Sequence, residues 1–372
     1  MFVKRLWFAA VVLGVITACL QGTALTGVNS AMAEPRSAAS AQEVADALEA
    51  QNQFGILLTV VLDAMPQYVA DFSWEVGRGV ILVTPDGLGP VKDFLTTEAS
   101  DVPVVLRVAD AGVVPYGDQA DVELRAIDAL RAVGGVALSA RYDPYSGRVE
   151  ATVWSEDVAD STKRAEQIMP QVRGLPLDIA YQDGHDAPRL EASQGGEDYA
   201  GCTGAFMATS SAGYGILTAA HCTTKPATYN GSTTGATQTL TTAGGAYDIR
   251  FTALSGSSAV NEFRYTASGA ISKITSTGTP AAGMTLSKYG QKTGYGTAVV
   301  ALNPSCISYS NGPTYCGQFS TTQKVTDSGD SGGPWFSAYT GYGIHSGASS
   351  TASYFTAIGS VGLWSGIAVK KS

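Results

Sequence analysis

The distribution of apolar residues divides the chain into two regions near residue 190. In the first region, apolar residues recur at spacings of three and four over residues 42–58 and 121–133, which predicts amphipathic helices. Alternating apolar and polar runs at 136–141 and 148–154 flank Asp-Pro and Ser-Gly pairs, a combination typical of a β-hairpin. These patterns indicate a region that mixes helices with strands.

The same region continues with one more helix and one more strand. The helix is predicted from about residue 158 to residue 169, and the strand over residues 177–181. A less regular stretch, residues 182–191, follows them. We therefore expect a small α+β domain that ends before residue 192.

After residue 191 the pattern changes to short alternating runs in a stretch rich in Gly, Ser, Thr and Tyr. Regularly spaced short strands separated by turn residues are typical of a β-sandwich or a β-barrel. The predicted strands cover residues 205–208, 214–219, 297–302, 315–324 and 334–338.

The first residues have the pattern of a secretory signal. Two basic residues precede an apolar run over residues 6–18, which is too short for a permanent membrane span. The small residues of Ala31-Met32-Ala33 predict cleavage there, so residues 1–33 are interpreted as a signal peptide of an exported protein. The alternative is lipid attachment at Cys19, because the residues that lead up to it resemble a bacterial lipobox.

Four cysteines remain after the predicted signal peptide. An even number of cysteines in an exported protein predicts disulfides, each of which typically contributes about 2–4 kcal/mol. Three pairings are allowed, and the simplest joins Cys202 to Cys222 and Cys306 to Cys316. Their spacing does not match a zinc site, and we expect neither a metal nor a cofactor.

Charge is distributed unevenly along the chain. Residues 34–191 carry 26 acidic and 12 basic side chains, a net charge of −14, whereas residues 192–372 carry 6 acidic and 9 basic side chains, a net charge of +3. Opposite charges favour docking of the two segments on each other. The composition, 45% hydrophobic and 15% charged, suits folded domains, and we expect no nucleic-acid partner.

Three short motifs carry the candidate chemistry. "TDSGDSGGPW" places Ser331 in a glycine-rich turn, and "ILTAAHC" places His221 beside a cysteine that would restrict its ring, as a general base requires. "GGAYDIRFTAL" places Asp248 between apolar neighbours, where an unpaired charge would be costly, so His221 is its expected partner. His185 lies in a polar linker and is expected to be a solvated loop residue.

The motifs "LTAAHC", "AYDI" and "GDSGGP" resemble, in that order, the His, Asp and Ser motifs of chymotrypsin-like serine peptidases. The stretches "ARYDPYSGRVEATVW" and "GGEDYAGCTGAF" resemble the pro-domain and the mature N-terminus of secreted bacterial enzymes of the α-lytic protease and streptogrisin group. The resemblance implies an all-β catalytic domain of two six-stranded antiparallel β-barrels over residues 192–372. It also implies an α+β propeptide over residues 34–191 and a secreted enzyme that is a monomer when mature.

The resemblance also assigns roles to residues of the motifs. Ser331 would attack the peptide carbonyl, His221 would transfer the proton, and Asp248 would orient the imidazole. The backbone N–H groups of Gly329 and Ser331 would form the oxyanion hole. Ser346 matches the family position that supports the buried aspartate. Because all three catalytic positions are retained, a catalytically silent binding module of the same fold is the weaker interpretation.

The chain departs from this group at several positions. Ser287 and Gly296 occupy the positions of an additional disulfide, and Lys288 replaces an internal arginine, which leaves its contact with Asp330 open. No Ile-Val-Gly-Gly N-terminus precedes the domain, so activation of the trypsinogen kind is not expected. We expect residues 34–191 to act instead as a folding template and inhibitor until they are removed.

The residues expected to line the primary pocket favour an acidic substrate side chain. Val325 stands where trypsin-like enzymes place an acid, so cleavage after Lys or Arg is not expected. Ser328 and His345 match hydrogen-bond donors of the glutamyl endopeptidases in this family. Two or three donors are needed, because each hydrogen bond to a charge contributes about 1.5–3 kcal/mol against the desolvation of a carboxylate.

The remaining pocket positions leave an alternative open. Ser346 and Gly347 are followed by Ala348 where a third serine is expected, although two serines come directly after it. The alternative is therefore a peptidase of apolar or broad preference. Glu191 stands just before the expected mature N-terminus, so a glutamyl enzyme could release itself there. The expected partners are polypeptide substrates and the chain's own propeptide.

Overall fold

The computed structural model of the chain describes residues 40–98, 102–167, 171–172, 174–190, 199–229, 232–242, 245–255, 262–264, 271–310, 312–359 and 366–371. The predicted signal peptide, Cys19 and the predicted processing site at Glu191 lie outside the described residues. Among the helices that are described, none is long and apolar enough to cross a membrane.

The N-terminal segment (described residues 40–190) begins with a long helix, α1 (Ala41–Ala64). Ser40 Oγ accepts a hydrogen bond from Glu43 N at 3.2 Å, and Glu43 Oε2 accepts one from Ser40 N at 2.6 Å. This capping box satisfies two backbone donors and fixes where the helix begins. The helix continues past the predicted end at residue 58, because its apolar face stays buried through Val61 and Leu62.

A small sheet follows α1 and was not predicted from the sequence. Strand β2 is buried along nearly its whole length, so its residues form a continuous apolar run rather than the alternation that indicates a half-buried strand. Strands β1 and β2 pair antiparallel, and β3 pairs parallel with β2 through the crossover helix α2. The bounds are β1 (Val69–Glu75), β2 (Arg78–Val83), α2 (Leu88–Glu98) and β3 (Val104–Val108).

The rest of the N-terminal segment contains the predicted hairpin, helices and strand. Strands β4 and β5 pair antiparallel across the predicted turn, and β7 pairs parallel with β5. Helix α3 starts earlier than predicted and is followed by a 3₁₀ turn at Arg131–Val133. The bounds are α3 (Tyr116–Leu130), β4 (Ala137–Asp143), β5 (Arg148–Ser155), α4 (Val158–Gln167), β6 (Gln171–Val172), β7 (Leu175–Asp183) and β8 (Arg189–Leu190).

The C-terminal segment (described residues 199–371) begins with a six-stranded sheet in the order β11-β12-β13-β10-β9-β23. All neighbours pair antiparallel, and β23, the last strand among the described residues, returns to pair with β9. The predicted strands at 205–208 and 214–219 correspond to β9 and β10. The bounds are β9 (Met207–Ser210), β10 (Gly213–Thr218), β11 (Thr228–Tyr229), β12 (Ser232–Thr242), β13 (Gly245–Ser255) and β23 (Ala368–Val369).

Six further strands pair in a closed ring, in the order β17-β20-β21-β22-β19-β18 with β18 pairing back to β17. The C-terminal segment is therefore all-β, as predicted, and an α+β region precedes it. The bounds are β17 (Thr285–Gly290), β18 (Gly294–Ser308), β19 (Thr314–Thr321), β20 (Pro334–Ser337), β21 (Thr340–Ala348) and β22 (Ser353–Ala357), with short strands β14 (Phe263–Arg264), β15 (Ile271–Ser272) and β16 (Ser276–Thr277).

The N-terminal segment and the ring share one sheet and one core. Strand β4 pairs antiparallel with β18, with Ala140 opposite Cys306, so the ring continues into the N-terminal segment. One buried apolar cluster contains side chains from both segments, which ties their stabilities together. Its members include Phe54, Leu58, Phe72, Ile81, Leu286, Phe319, Trp335, Tyr342 and Phe355.

Candidate active site

Ser331 lies in a turn whose shape depends on glycine. Gly329 has a φ of +110° and Gly332 a φ of +85°, values that residues with a side chain rarely adopt. Thr203 holds the turn, because its N–H donates to Ser331 O at 2.6 Å and its Oγ1 donates to Gly329 O at 2.9 Å. A Cβ at position 332 would lie 2.2 Å from Thr203 O, so this close approach also requires glycine.

His221 follows strand β10 and is fixed by its neighbours. Cys222 forms a disulfide with Cys202, and His221 N donates a hydrogen bond to Asp248 Oδ1 at 3.0 Å. The ring atom Nδ1 lies 2.8 Å from Asp248 Oδ2, and Nε2 lies 2.9 Å from Ser331 Oγ. The three motif residues therefore form one chain of hydrogen bonds.

The burial of these groups determines what the arrangement can do chemically. Asp248, on β13, has no exposed side-chain surface, and the His221 side chain is 7% exposed. A carboxylate that accepts the Nδ1–H bond fixes the tautomer in which Nε2 accepts a proton. Nε2 can then take the proton of Ser331 Oγ as that oxygen bonds to an electrophilic carbon. The geometry suits nucleophilic acyl transfer.

Ser346, on strand β21, lies beside Ser331, but its hydroxyl does not make the contact that the resemblance implied. Its carbonyl oxygen lies 3.5 Å from Ser331 Oγ, and its Oγ lies 3.3 Å from Thr356 Oγ1. The prediction that its hydroxyl supports Asp248 is therefore wrong in this structure. The backbone N–H and the ring of His221 hold that carboxylate instead.

Lys288 reaches Asp330, a contact that the sequence left open. The Lys288 ammonium lies 3.2 Å from Asp330 Oδ2, and both side chains are buried. Burial opposes ionisation of Asp330, but Lys288, together with the hydroxyl and the backbone N–H of Thr293, holds the pKa of this carboxyl below its usual value. The ion pair anchors the turn one residue before Ser331.

The predicted pocket residues lie around this turn with different exposures. His345 is buried, its N–H donates to Gly333 O at 2.8 Å, and its carbonyl oxygen accepts from Gly332 N at 2.8 Å. Ser328 is exposed on the turn itself. The backbone of His345 is therefore fixed next to the turn that carries Ser331, whereas Ser328 lies at the surface.

Two further serines, Ser349 and Ser350, follow the residues that the resemblance assigned to the pocket. Ser349 Oγ accepts hydrogen bonds from Thr351 N at 3.3 Å and from Ala352 N at 3.1 Å, so it caps the turn after strand β21. Ser350 is exposed in the same turn. The hydroxyl of Ser349 is engaged locally, and His345 and Ser328 remain the donors that the resemblance assigned to the pocket.

Trp335 belongs to the surroundings of the pocket and was not singled out from the sequence. Its ring is fully buried, stacks on Phe355 with centroids 4.7 Å apart, and lies 6.3 Å from the ring of His345. A signal was available, because Trp335 follows the nucleophile motif directly and begins an alternating strand. The stacked aromatic side chains support His345 from inside the closed ring of strands.

The end of the N-terminal segment occupies the edge of the site. Strand β8 pairs antiparallel with the last residues of β21, with Leu190 opposite Gly347 and Arg189 opposite Ala348. The sequence suggested only an irregular stretch there. Two residues pairing with a strand more than 150 positions later leave no local pattern, so this pairing could not be predicted.

Both disulfides of the near-neighbour pairing are present, Cys202 with Cys222 and Cys306 with Cys316. The first brings two sulfur atoms close to the ring of His221, in an arrangement that resembles a metal site by distance. Sulfurs joined in a disulfide are not thiolates and do not serve as zinc ligands of the usual kind. This cluster is therefore part of the frame that fixes His221.

The sequence profile of the family described as Trypsin matches residues 182–360. This part of the chain is a trypsin-like serine protease domain. A serine endopeptidase activity follows for the chain, together with polypeptide substrates, because the domain holds its serine, histidine and aspartate within hydrogen-bond distance. Curated protein sequences give no match.

Several solved structures resemble the trypsin-like domain. They include a glutamic acid specific serine protease (22% identity, 46% of this chain and 94% of that chain, TM-score 0.38) and the Nocardiopsis protease NAPase (17% identity, 50% and 99%, TM-score 0.39). Thermobifida fusca Protease A is a third (20% identity, 50% and 99%, TM-score 0.38).

Proposed function

We propose that this chain is the zymogen of a secreted serine endopeptidase that uses Ser331, His221 and Asp248 as its catalytic triad and prefers Glu before the cut bond. The observation that carries the proposal is the pair of hydrogen bonds from His221, one from Nδ1 to Asp248 at 2.8 Å and one between Nε2 and Ser331 Oγ at 2.9 Å. Both are within the distance that proton transfer requires.

In the proposed reaction, Ser331 Oγ bonds to the carbonyl carbon as its proton passes to His221 Nε2. The C–N bond then breaks, and Nε2 gives the proton to the leaving amine, which leaves an acyl-enzyme ester. Water, deprotonated by the same nitrogen, hydrolyses the ester and restores Ser331. The backbone N–H groups of Gly329 and Ser331 would stabilise the oxyanion, and the φ of +110° at Gly329 supports this role because it orients that peptide as few other residues allow.

Residues 34–191 are proposed to be the prosegment, with residues 1–33 as signal peptide and 192–372 as the mature enzyme. Polar side chains of α1 support a templating role, because they form hydrogen bonds with residues of the protease domain, including backbone groups of the closed ring of strands. The Gln51 side chain donates to Thr285 O at 3.1 Å and accepts from Thr285 N at 2.9 Å, as a paired strand would. Thr59 Oγ1 meets Thr279 Oγ1 at 2.8 Å in the buried interface.

The same prosegment is proposed to inhibit the enzyme through its last residues. Arg189 and Leu190 pair with Ala348 and Gly347, the strand end nearest the nucleophile. A peptide strand added to that edge excludes another, so substrate would be blocked until the prosegment leaves. Cleavage after the next residue, Glu191, would release the mature N-terminus. Disulfides in the mature part support an extracellular location.

The preference for Glu is proposed from His345 and Ser328. The glutamic acid specific relative uses, in the words of its description, a novel histidine triad in substrate binding. This chain has three histidines, of which His185 is exposed beside Asp183 and His221 belongs to the proposed triad. A triad of histidines therefore does not carry over, and His345 alone would recognise the carboxylate together with serine hydroxyls, with Ser346, Gly347 and Ala348 forming the pocket wall.

The experiment that tests the proposal is cleavage of a mixed peptide library by the secreted product of the full-length chain. Cuts clustered after Glu, and a mature N-terminus at Ala192, support both the triad and the carboxylate pocket. Cuts after apolar residues contradict the pocket and leave the peptidase. Ser331→Ala is the control, because it removes the nucleophile while retaining the fold and should give no cuts and an unprocessed chain.

A further inference from the structure

The tail of the N-terminal segment makes one contact with the protease domain beyond its strand pairing. Ser310 N donates a hydrogen bond to Pro188 O at 3.2 Å, and Ser310 Oγ donates to the same oxygen at 3.3 Å. A carbonyl oxygen has two lone pairs and accepts both bonds. This contact lies outside the triad, the oxyanion hole and the primary pocket.

The register of β8 gives this contact its position relative to the cut bond. Pro188 directly precedes Arg189, which pairs with Ala348, and Leu190, which pairs with Gly347. If cleavage follows Glu191, as the proposed function has it, then Pro188 is the fourth residue before the cut. The contact of Ser310 is therefore made with the main chain of that fourth residue.

Upstream of Pro188 the tail is held by its own segment. Ala187 N donates to Gly184 O at 3.2 Å, and Ala187 packs in a buried cluster with Trp154 and Ala137. The contacts of the tail therefore change at Pro188, from the prosegment itself to the protease domain. The carbonyl of residue 188 is where the substrate-like part of the tail begins.

The hairpin that presents Ser310 is fixed by residues of the protease domain. Tyr309 OH donates to the buried Gln318 Oε1 at 2.9 Å, and its ring meets those of Tyr315 and Tyr354 edge-on. A disulfide closes the base of the hairpin, Cys306 with Cys316. These contacts lie within the protease domain and hold the hairpin in addition to the pairing of β4 with β18, which is lost when the prosegment leaves. We therefore expect Ser310 to keep its position for a substrate.

We propose that Ser310 is a subsite residue that binds the main-chain carbonyl of the fourth residue before the cut in any polypeptide substrate. Because both donors point at a backbone oxygen, the contact selects for substrate length rather than for a side chain. An N-acetyl group on a peptide with three residues before the cut supplies that oxygen, so it reproduces the contact without a fourth residue.

The test compares two neutral peptides with three residues before the cut and the same fluorescent leaving group. One peptide is N-acetylated. The other has a first residue without its amino group, so it has no acetyl group and lacks that carbonyl oxygen. For the mature wild-type enzyme, made from the full-length chain, kcat/KM should favour the acetylated peptide. Ser310→Ala should reduce that advantage about fivefold, the effect of one net hydrogen bond of about 1 kcal/mol.

The ratio of the kcat/KM values for two substrates, measured on one enzyme sample, does not depend on how much of the sample is folded. Ser310→Thr, which retains the hydroxyl, should preserve the advantage, and so should Ser308→Ala, a matched change in the same hairpin. An equal advantage in wild type and Ser310→Ala overturns the proposal. A second measurement needs no variant, because a thioacetyl cap, whose sulfur is a weak acceptor, should be cleaved several-fold more slowly than the acetyl cap by the wild-type enzyme.

The outcome is separable from that of the proposed function. The peptides are built on whichever residue the library identifies before the cut, so loss of the Glu preference appears in the library and leaves the length comparison intact. A wild-type enzyme that cuts after Glu but cleaves acetyl- and thioacetyl-capped peptides at the same rate would retain the proposed function and reject the role of Ser310.

Discussion

Lys288 and Asp330 form an ion pair, with Nζ 3.2 Å from Oδ2 and side chains only 2% and 1% exposed. The aspartate carboxylate also accepts hydrogen bonds from Lys292 N at 2.9 Å and Thr293 N at 3.1 Å. It thereby joins the loop after β17 to the turn that carries Ser331. A buried charge held in this way depends on each of its partners.

Replacing Lys288 by Met would leave the Asp330 charge buried without its cation, and we expect a loss of about 3–5 kcal/mol in the free energy of unfolding at neutral pH. The ionised form of Asp330 stabilises the fold above the usual carboxyl pKa, and this stabilisation is lost as pH falls through the lowered pKa of the folded state. The difference between wild type and Lys288→Met should therefore shrink in acid.

Urea unfolding of the full chain in a Ser331→Ala background measures this difference without autolysis. The double variant Lys288→Met with Asp330→Asn removes both charges and should be less destabilised than Lys288→Met alone. A difference that stays constant from neutral pH to pH 3 would argue against the buried ion pair as its cause.

Replacing Gly329 is expected to lower kcat without preventing the chain from folding. Gly329→Ala places a side chain at a φ of +110° and should rotate the peptide that donates to the oxyanion. Loss of one such donor typically lowers kcat about 10²–10³-fold. Steady-state kinetics, with active sites counted by a phosphonate label, would detect this loss. A kcat within about twofold of wild type would exclude the proposed oxyanion hole.

His345 should decide the choice between Glu and an apolar residue before the cut. His345→Leu removes the buried donor, so a bound carboxylate would lose a hydrogen bond worth about 1.5–3 kcal/mol. The kcat/KM ratio for Glu over Leu substrates should therefore fall about 10- to 100-fold. Ser328→Ala, on the exposed turn, should lower the ratio less. An unchanged ratio in His345→Leu would assign this residue a structural role alone.

Glu123 should make the full-length chain less stable at pH 8 than at pH 5. Its carboxyl oxygen Oε1 accepts a hydrogen bond from Tyr142 N at 3.0 Å, and burial raises the pKa of Glu123 to about 8. The unfolded chain loses this proton near its usual value of about 4.3, so stability falls as pH rises from there to about 8. Glu123→Gln cannot ionise and should flatten that part of the profile by several kcal/mol.

Urea unfolding of the Ser331→Ala chain at pH 5 and pH 8, with and without Glu123→Gln, is the measurement. Glu150→Gln, on an exposed strand position, is the matched control and should keep the wild-type slope. Parallel profiles for wild type and Glu123→Gln would show that the buried carboxyl titrates near its ordinary pKa.

Residues 192–372 expressed alone should give little active enzyme. Without α1, the backbone groups of Thr285 lose both bonds to Gln51, and Tyr342 OH loses its 3.1 Å bond to Asn52 Oδ1. Refolded material should gain activity when residues 34–191 are added separately. Robust activity without that addition would contradict the proposed templating role of residues 34–191.

The chemistry of the site was readable from sequence because it is carried by short motifs. Ser331, His221 and Asp248 each lie in a stretch whose local pattern singles them out, and the β4–β5 hairpin follows from its turn residues. Strand β2 was missed for a local reason as well, since burial along its length removes the alternation that marks a strand.

The tertiary structure decided everything that depends on residues far apart in the chain. Ser346 turns to Thr356 instead of Asp248, Lys288 reaches Asp330, and Ser310 meets Pro188, 122 positions away. A sequence motif fixes which groups are available and how the backbone near them turns. Which distant group each one meets depends on strand register and packing, and these are set by the whole folded chain rather than by neighbouring residues.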